Sequence, residues 1–348
     1  MAETEDENST PVTEMEFKDY SGPELESLQK YLPVYQQLVE VVPSSTLMPA
    51  TYKKYHDQYQ RFQSRPTDVW IASHPKAGTT WTQEMVWCLL YTLQSPRLTE
   101  LLPARSPFFE WDSLFPDWHS MEHLPDDDVN KTGVMWDILT KTLPDPRNIK
   151  THVHWALLPP SVHASKAKIV YVCRDPRDLC VSYYYHHIKL EGYTGDFDTF
   201  VKIFLADALP WGPFWSNVLS YWQRRHQPNV FFFTFEQLKK DLPGTLLRLA
   251  EFLGIKRGGS EGALGASELA ALTEHLSFSS MSTNPATNNE VLAAAAINPN
   301  TAGQVKFMRQ GKVGDHASHL SAQQLQQFKK WTEEALKDSD FPYYRNYE

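Results

Sequence analysis

The stretch SHPKAGTTW, residues 73 to 81, decides how this chain is read. It follows an apolar run, Asp68 to Ser73, that reads as a buried strand. It opens a helix over Thr79 to Leu93, in which Trp81, Met85, Val86, Leu89, Leu90 and Leu93 repeat at helical spacing. A strand that passes through a glycine turn into a helix aims backbone N–H groups and the positive end of the helix dipole at one point, which suits an anion such as phosphate. Lys76 adds a mobile positive charge there, and Thr79 and Thr80 add hydroxyl donors at the first helical turn. The lysine precedes the single glycine, so the order is not the nucleotide-hydrolase pattern G-x-x-x-x-G-K-[ST]. Taken alone, the stretch also fits a surface lysine in a strand-to-helix turn.

The same strand-then-helix rhythm recurs downstream. KIVYV, Lys168 to Val172, reads as a second strand followed by a helix that Pro176 starts; Val230 to Phe233 reads as a third, followed by a helix over Leu242 to Leu253 that Gly254 ends. A last helix is signalled by Ser321 with Gln324 three places on, a capping-box pattern, with Leu325, Phe328 and Ala335 on one stripe. The expectation is an α/β single domain with a central, mostly parallel sheet flanked by helices on both faces and a P-loop-like strand-loop-helix. Residues 17 to 66 are mixed, with Tyr31, Tyr35, Tyr52, Tyr55, Tyr59 and Phe62 available for packing. The glycine- and serine-rich 256 to 268 reads as a flexible connector, and 284 to 304 carries little punctuation.

Composition narrows the function classes. The formal charge of −9 falls to −3 without Glu3, Glu5, Asp6, Glu7, Glu14 and Glu16, so residues 1 to 16 read as a disordered acidic tail and 17 to 348 as the folded domain. Nothing points to a nucleic-acid surface. No segment approaches the ~18 unbroken apolar residues of a membrane span, and the acidic start is unlike a signal peptide. Three cysteines, Cys88, Cys173 and Cys180, sit in apolar stretches without ligand spacing, which suits free thiols in a cytosolic protein and no metal.

Two further stretches carry chemistry. IKTHVHW, 149 to 155, sets Lys150 and His152 on alternate positions of an extended run, so both side chains project to one side. A base beside a charge stabiliser and a satisfied structural histidine are both compatible with that. YVCRDPRDLCVSYYYHH, 171 to 187, ends a strand on Arg174 and sets Ser182 eight residues on, in the following helix. Arginine at the carboxyl end of a strand is placed where open α/β sheets bind ligands, although Asp178 offers it a surface ion pair instead.

On these residues the chain resembles the cytosolic sulfotransferase family, whose members move a sulfonate from 3′-phosphoadenosine-5′-phosphosulfate (PAPS) to a hydroxyl or amine. SHPKAGTTW is similar to the family's YPKSGTTW loop, with His74 and Ala77 as departures; Lys150, Thr151 and His152 match its KTH motif; RQGKVGDH, 309 to 316, resembles its RKGxxGDW element, with Gln310 and His316 departing. The resemblance implies His152 as general base, Lys76 on the leaving oxygen and Lys150 on the sulfonate. It implies that the backbone of Ala77, Gly78, Thr79, Thr80 and Trp81 holds the 5′-phosphate. Arg174, Ser182 and Arg309 would grip the 3′-phosphate beside Gln310 and Gly311, and Phe235, Leu276, Phe278 and Met281 would flank the adenine. Phe235 and Leu276 stand where a tyrosine and a threonine are usual, which implies a weaker hold on PAPS. Phe108, Trp111, Tyr183 and His186 would meet a small aromatic or hydrophobic acceptor. PAP would be the product, with no metal in the scheme, and the missing dimer pattern after Asp315 implies a monomer or an atypical homodimer. A nucleotide kinase or a non-catalytic binder on this fold are the alternatives, and 284 to 304 would be a cover over the substrate or a plain loop.

Overall fold

The computed structural model describes residues 15–114, 135–259, 262–290 and 306–343. Most of the acidic segment lies outside the described residues. Its last member, Glu16, is the first residue of a strand.

Four strands, β4 (Val69–Ala72), β5 (Asn148–Thr151), β6 (Lys168–Cys173) and β7 (Val230–Thr234), form a parallel sheet in the order β5-β4-β6-β7. Their side chains divide by the two-residue period of an extended chain. Trp70, Ala72, Ile169, Tyr171 and Cys173 enter one apolar core; Val69, Ile71, Val170, Val172 and Phe233 enter the other. Because both faces are covered, the strands read in sequence as unbroken apolar runs rather than alternating ones. Helices Thr79–Tyr91 and Leu242–Leu253 pack on the second face; helices Pro176–Leu190 and Phe214–Trp222 pack on the first. The first of these helices ends two residues before the expected Leu93, because Thr92 turns to a positive φ of 66°. The expected stops and starts are otherwise present. Gly254 closes its helix in the left-handed conformation, and Ser321 and Gln324 form a reciprocal capping box on the helix Ala322–Leu336.

Residues 17 to 66 hold an element that the sequence did not announce. Strands β1 (Glu16–Asp19), β2 (Leu38–Val42) and β3 (Thr46–Pro49) make a separate antiparallel sheet. The strands are only four or five residues long, too short for an alternation to stand out. This sheet reaches the rest of the molecule by backbone: Leu47 donates to Gly212 at 2.8 Å and accepts from Trp211 at 2.7 Å. Trp211 is thereby fixed near the carboxyl edge of the central sheet. Beneath that sheet, Glu84 is held by Arg105 at 2.9 Å and by His275 at 2.7 Å, with the Cys88 thiol 3.6 Å away. The sequence spacing gave no hint of this buried cluster.

No helix among the described residues is long and apolar enough to cross a membrane.

Candidate active site

All four parallel strands deliver a residue of interest at their carboxyl ends. β4 leads into the loop 73–78, β5 into His152, β6 into Arg174 and β7 into Phe235. A parallel sheet places these ends along one edge, which is where ligands of open α/β sheets sit. One cavity of about 610 Å³ runs along that edge, and Lys76, Lys150, His152, Arg174 and Phe235 all line it. Such a volume is typical of a small-molecule site.

The loop after β4 bends tightly. Lys76 has φ 68° and Gly78 φ 112°. A Cβ on Gly78 would also lie 2.9 Å from the Phe235 ring, so both backbone conformation and close approach require glycine. The amide of Ala77 is already spent on the His74 carbonyl at 3.3 Å, and Ala77 does not line the cavity; Gly78, Thr79, Thr80 and Trp81 do. The Lys76 amino group lies 4.2 Å from the Phe307 ring centre and 3.4 Å from Nδ1 of His186. Burial, reinforced by the charges of Lys150 and Arg174, pushes its pKa down to about 7.

His152 is 5% exposed, and its ring is set edge-on to Phe108 at 5.0 Å and Trp211 at 5.4 Å. Nδ1 lies 2.8 Å from the Ser73 carbonyl oxygen. A carbonyl only accepts, so Nδ1 carries the proton and Nε2 keeps its lone pair. Burial, and after it the Lys150 charge, hold the imidazolium form well below the usual histidine range, so the ring is neutral. The amide of His152 donates to Glu110 Oε1 at 2.6 Å, and Glu110 also accepts from Trp211 Nε1 at 3.1 Å and Thr151 Oγ1 at 2.9 Å. Lys150 stands 3.8 Å from the centre of the Phe108 ring, which a single parallel bridge sets beside it. Burial lowers the Lys150 pKa to about 8 and raises that of Glu110 to about 7.

At the far end, Arg174 is 8% exposed; its guanidinium donates to the carbonyls of Lys76 at 3.3 Å and Lys312 at 3.1 Å and stacks 4.5 Å from Phe235. Its Nε is buried with no hydrogen-bond partner. Asp178 does not serve it as a surface ion pair. That side chain is 1% exposed and accepts from the amides of Gly314 at 2.7 Å and His316 at 2.9 Å, with His316 Nδ1 at 2.7 Å. Burial alone would raise the Asp178 pKa, but the His316 bonds and the Arg174 charge outweigh it and keep the carboxylate ionised. Asp178 thus anchors the whole 309 to 316 element, and Asp178→Ala should abolish hydrogen-exchange protection of the Gly314 and His316 amides. Bonds to a charged acceptor contribute about 1.5–3 kcal/mol each, so unchanged protection would assign the anchoring elsewhere. Ser182, Arg309, Gln310, Gly311, Leu276, Phe278 and Met281 line the same end. Arg309 is ion-paired with Asp315 and lies 4.4 Å from the Tyr185 ring.

The opposite end is apolar, walled by Val34, Phe108, Trp111, Leu114, Met135 and Trp211. His186 lines the cavity. Tyr183 does not: it is fully buried, its ring 5.8 Å from His74 and 4.2 Å from His187. The lining positions on this helix are 182, 185, 186, 189 and 190, whereas the Tyr183 side chain turns into the apolar core. Of the segment 284 to 304, only 284–290 is among the described residues; it ends on Glu290, which accepts from Lys189 and from the Phe307 amide, both at 2.8 Å. Sequence reading missed Glu110, Asp178, Glu191, Trp211 and Phe307. A carboxylate set inside the aromatic run PFFEW was the one available signal.

Comparison with known proteins identifies the family and the fold. The family model described as Sulfotransferase domain matches residues 66–340. Luciferin sulfotransferase of Photinus pyralis is 32% identical over 338 residues, covering 96% of this chain and 86% of the relative. Sulfotransferase 1E1 of Homo sapiens is 31% identical over 313 residues, covering 88% and 96% respectively. A crystal structure of retinol dehydratase in complex with androsterone and inactive cofactor PAP superposes with a TM-score of 0.81 at 27% identity, covering 94% of this chain and 98% of that one.

Proposed function

From the premise that this chain belongs to the sulfotransferase family and is a sulfotransferase enzyme, we propose that His152 is its general base and that its acceptor is the hydroxyl of a small apolar or aromatic compound. The observation that carries this is the convergence of Lys76, Lys150, His152 and Arg174 on one cavity, with Nδ1 of His152 committed to the Ser73 carbonyl and Nε2 left as a proton acceptor.

The chain's own groups fit PAPS. Lys76, Lys150 and Arg174 bring three cations into one cavity, and the buried Arg174 Nε lacks a hydrogen-bond partner. Burial without compensation is costly for a charge, so an anion with several phosphate and sulfonate oxygens complements the site. PAPS, when bound, supplies the sulfonate and a phosphate leaving group. Gly78 to Trp81 and Lys76 hold the phosphate side, Arg174, Ser182 and Arg309 hold the 3′-phosphate, and Phe235, Leu276, Phe278 and Met281 cover the adenine. His152 Nε2 takes the proton of the acceptor hydroxyl. Lys76 and Lys150 are fixed donors for the negative charge that develops in transfer, the arrangement that supplies most catalytic stabilisation in such sites.

The acceptor class is read from the aromatic wall of Phe108, Trp111 and Trp211 next to His152. The retinol dehydratase structures hold androsterone and retinol, both apolar alcohols, which supports the same class here. Incubation with radiolabelled PAPS and a panel of phenols, steroids, aliphatic alcohols, monoamines and sugars should place label on the apolar hydroxyl compounds and none on the sugars. Label on no acceptor, with melting unaltered by PAP, sinks the proposal.

A further inference from the structure

The helix Pro176–Leu190 ends on a pair of histidines and a glutamate that the transfer scheme leaves without a task. Glu191 is 4% exposed. Its Oε2 lies 2.6 Å from Nδ1 of His187 and its Oε1 lies 3.2 Å from Nε2 of His186. The other nitrogen of His186 faces the Lys76 amino group at 3.4 Å. We propose that His186, turned by Glu191, is a positioning residue that holds the Lys76 ammonium for the leaving oxygen rather than a contact for the acceptor. This rests on the sulfonate-transfer reading of the site.

The hydrogen-bond directions follow from what each group can do. An ionised carboxylate only accepts, so His186 donates from Nε2. A neutral imidazole has one proton, so Nδ1 presents a lone pair to Lys76. Burial would raise the Glu191 pKa, but the His187 and His186 contacts outweigh it and keep it ionised. Burial and the Lys76 charge push His186 down to about 3, which keeps it neutral. An ammonium has three donors. One is taken by His186, and the face of Phe307, 4.2 Å away, attracts the cation from another side. Two such contacts leave the amino group little freedom to rotate, so its remaining donor is oriented before a ligand arrives. Preorganised donors spare the reorganisation otherwise needed during reaction.

Lys76 is also faced by Lys150 from β5, Arg174 from β6, and Lys189 from the His186 helix. All three cations lower its pKa, and the Glu191 carboxylate raises it against them. Removing the Glu191 charge should therefore lower it further, and so should removing the Nδ1 lone pair of His186 that accepts from the ammonium at 3.4 Å.

The test follows Lys76 by trace acetic anhydride labelling across pH, read by mass spectrometry with neither PAPS nor acceptor present. His186→Phe and Glu191→Gln should each make Lys76 at least about threefold more reactive at a pH below its midpoint, equivalent to about half a pKa unit. His186→Asn, which keeps an acceptor near the Nδ1 position, should stay close to wild type. With any acceptor the wild type sulfonates, His186→Phe and Glu191→Gln should lower kcat about tenfold or more while acceptor KM stays within threefold, and His186→Asn should recover most of kcat. An unchanged labelling curve overturns the inference, and so does a raised acceptor KM at constant kcat. If the wild type transfers no label at all, the transfer reading fails, and the labelling curves still decide how Lys76 is held.

Discussion

His152→Ala will lower turnover by about 10²–10⁴-fold, the usual contribution of a positioned general base, while the Kd for PAP stays within a few fold. The imidazole has a single free lone pair, on Nε2, because the Ser73 carbonyl takes the Nδ1 proton. Alanine removes that proton acceptor and the ring's bond to the Ser73 carbonyl, but leaves Lys76, Arg174 and the 309 to 316 element in place. Single-turnover rate against PAP affinity is the measurement. A variant that keeps more than a tenth of wild-type turnover would show that the base is misassigned. The pH dependence has a definite sign. Because burial and Lys150 hold His152 well below the ordinary histidine pKa, its proton-accepting form is lost only at a lower pH than for an unperturbed histidine. Turnover should not drop between pH 8 and 6 through this residue, as it would with an unperturbed histidine of pKa ~6.5.

For Lys76→Ala, both PAP affinity and turnover should fall, the latter by about 10²–10³-fold as expected for losing one preorganised donor. Titration calorimetry and steady-state rates separate the two. The ammonium form is the one that binds an anion, and in the free protein it is lost as pH rises through about 7. PAP binding should therefore weaken above pH 7, by up to tenfold or about 1.4 kcal/mol per unit. In Lys76→Ala the weakening should move to the range of Lys150, near 8. Wild-type turnover in the variant, or PAP binding indifferent to pH between 7 and 9, would return Lys76 to an ordinary loop lysine.

Much of the site was legible because it lies on short continuous segments. SHPKAGTTW contains strand end, turn, cation and helix start in nine consecutive positions. The alternation of Lys150 and His152 follows from the period of an extended chain, and both line the cavity. Tyr183 was misplaced because the aromatic run YYYHH hides which face of the helix turns inward; burial on both sides of the helix leaves no polar stripe to read. Asp178 was read beside Arg174 because the two are neighbours in sequence, whereas its partners are 136 and 138 residues away. The three-stranded sheet at the start of the domain escaped notice because its strands are too short to show a period.

The order of apolar runs, glycines and caps determined by itself that parallel strands alternate with helices, since periodicity and turn chemistry are local properties of the chain. It also determined which cations stand at strand ends. Only the tertiary structure decided what those cations face. The lone pair of His152 is directed by the carbonyl of Ser73, the amino group of Lys76 by His186 and Phe307, and the arm at 309 to 316 by Asp178. Each of these contacts joins segments far apart in sequence, and both the direction of a hydrogen bond and the pKa of a buried group depend on that surrounding shell rather than on residue type.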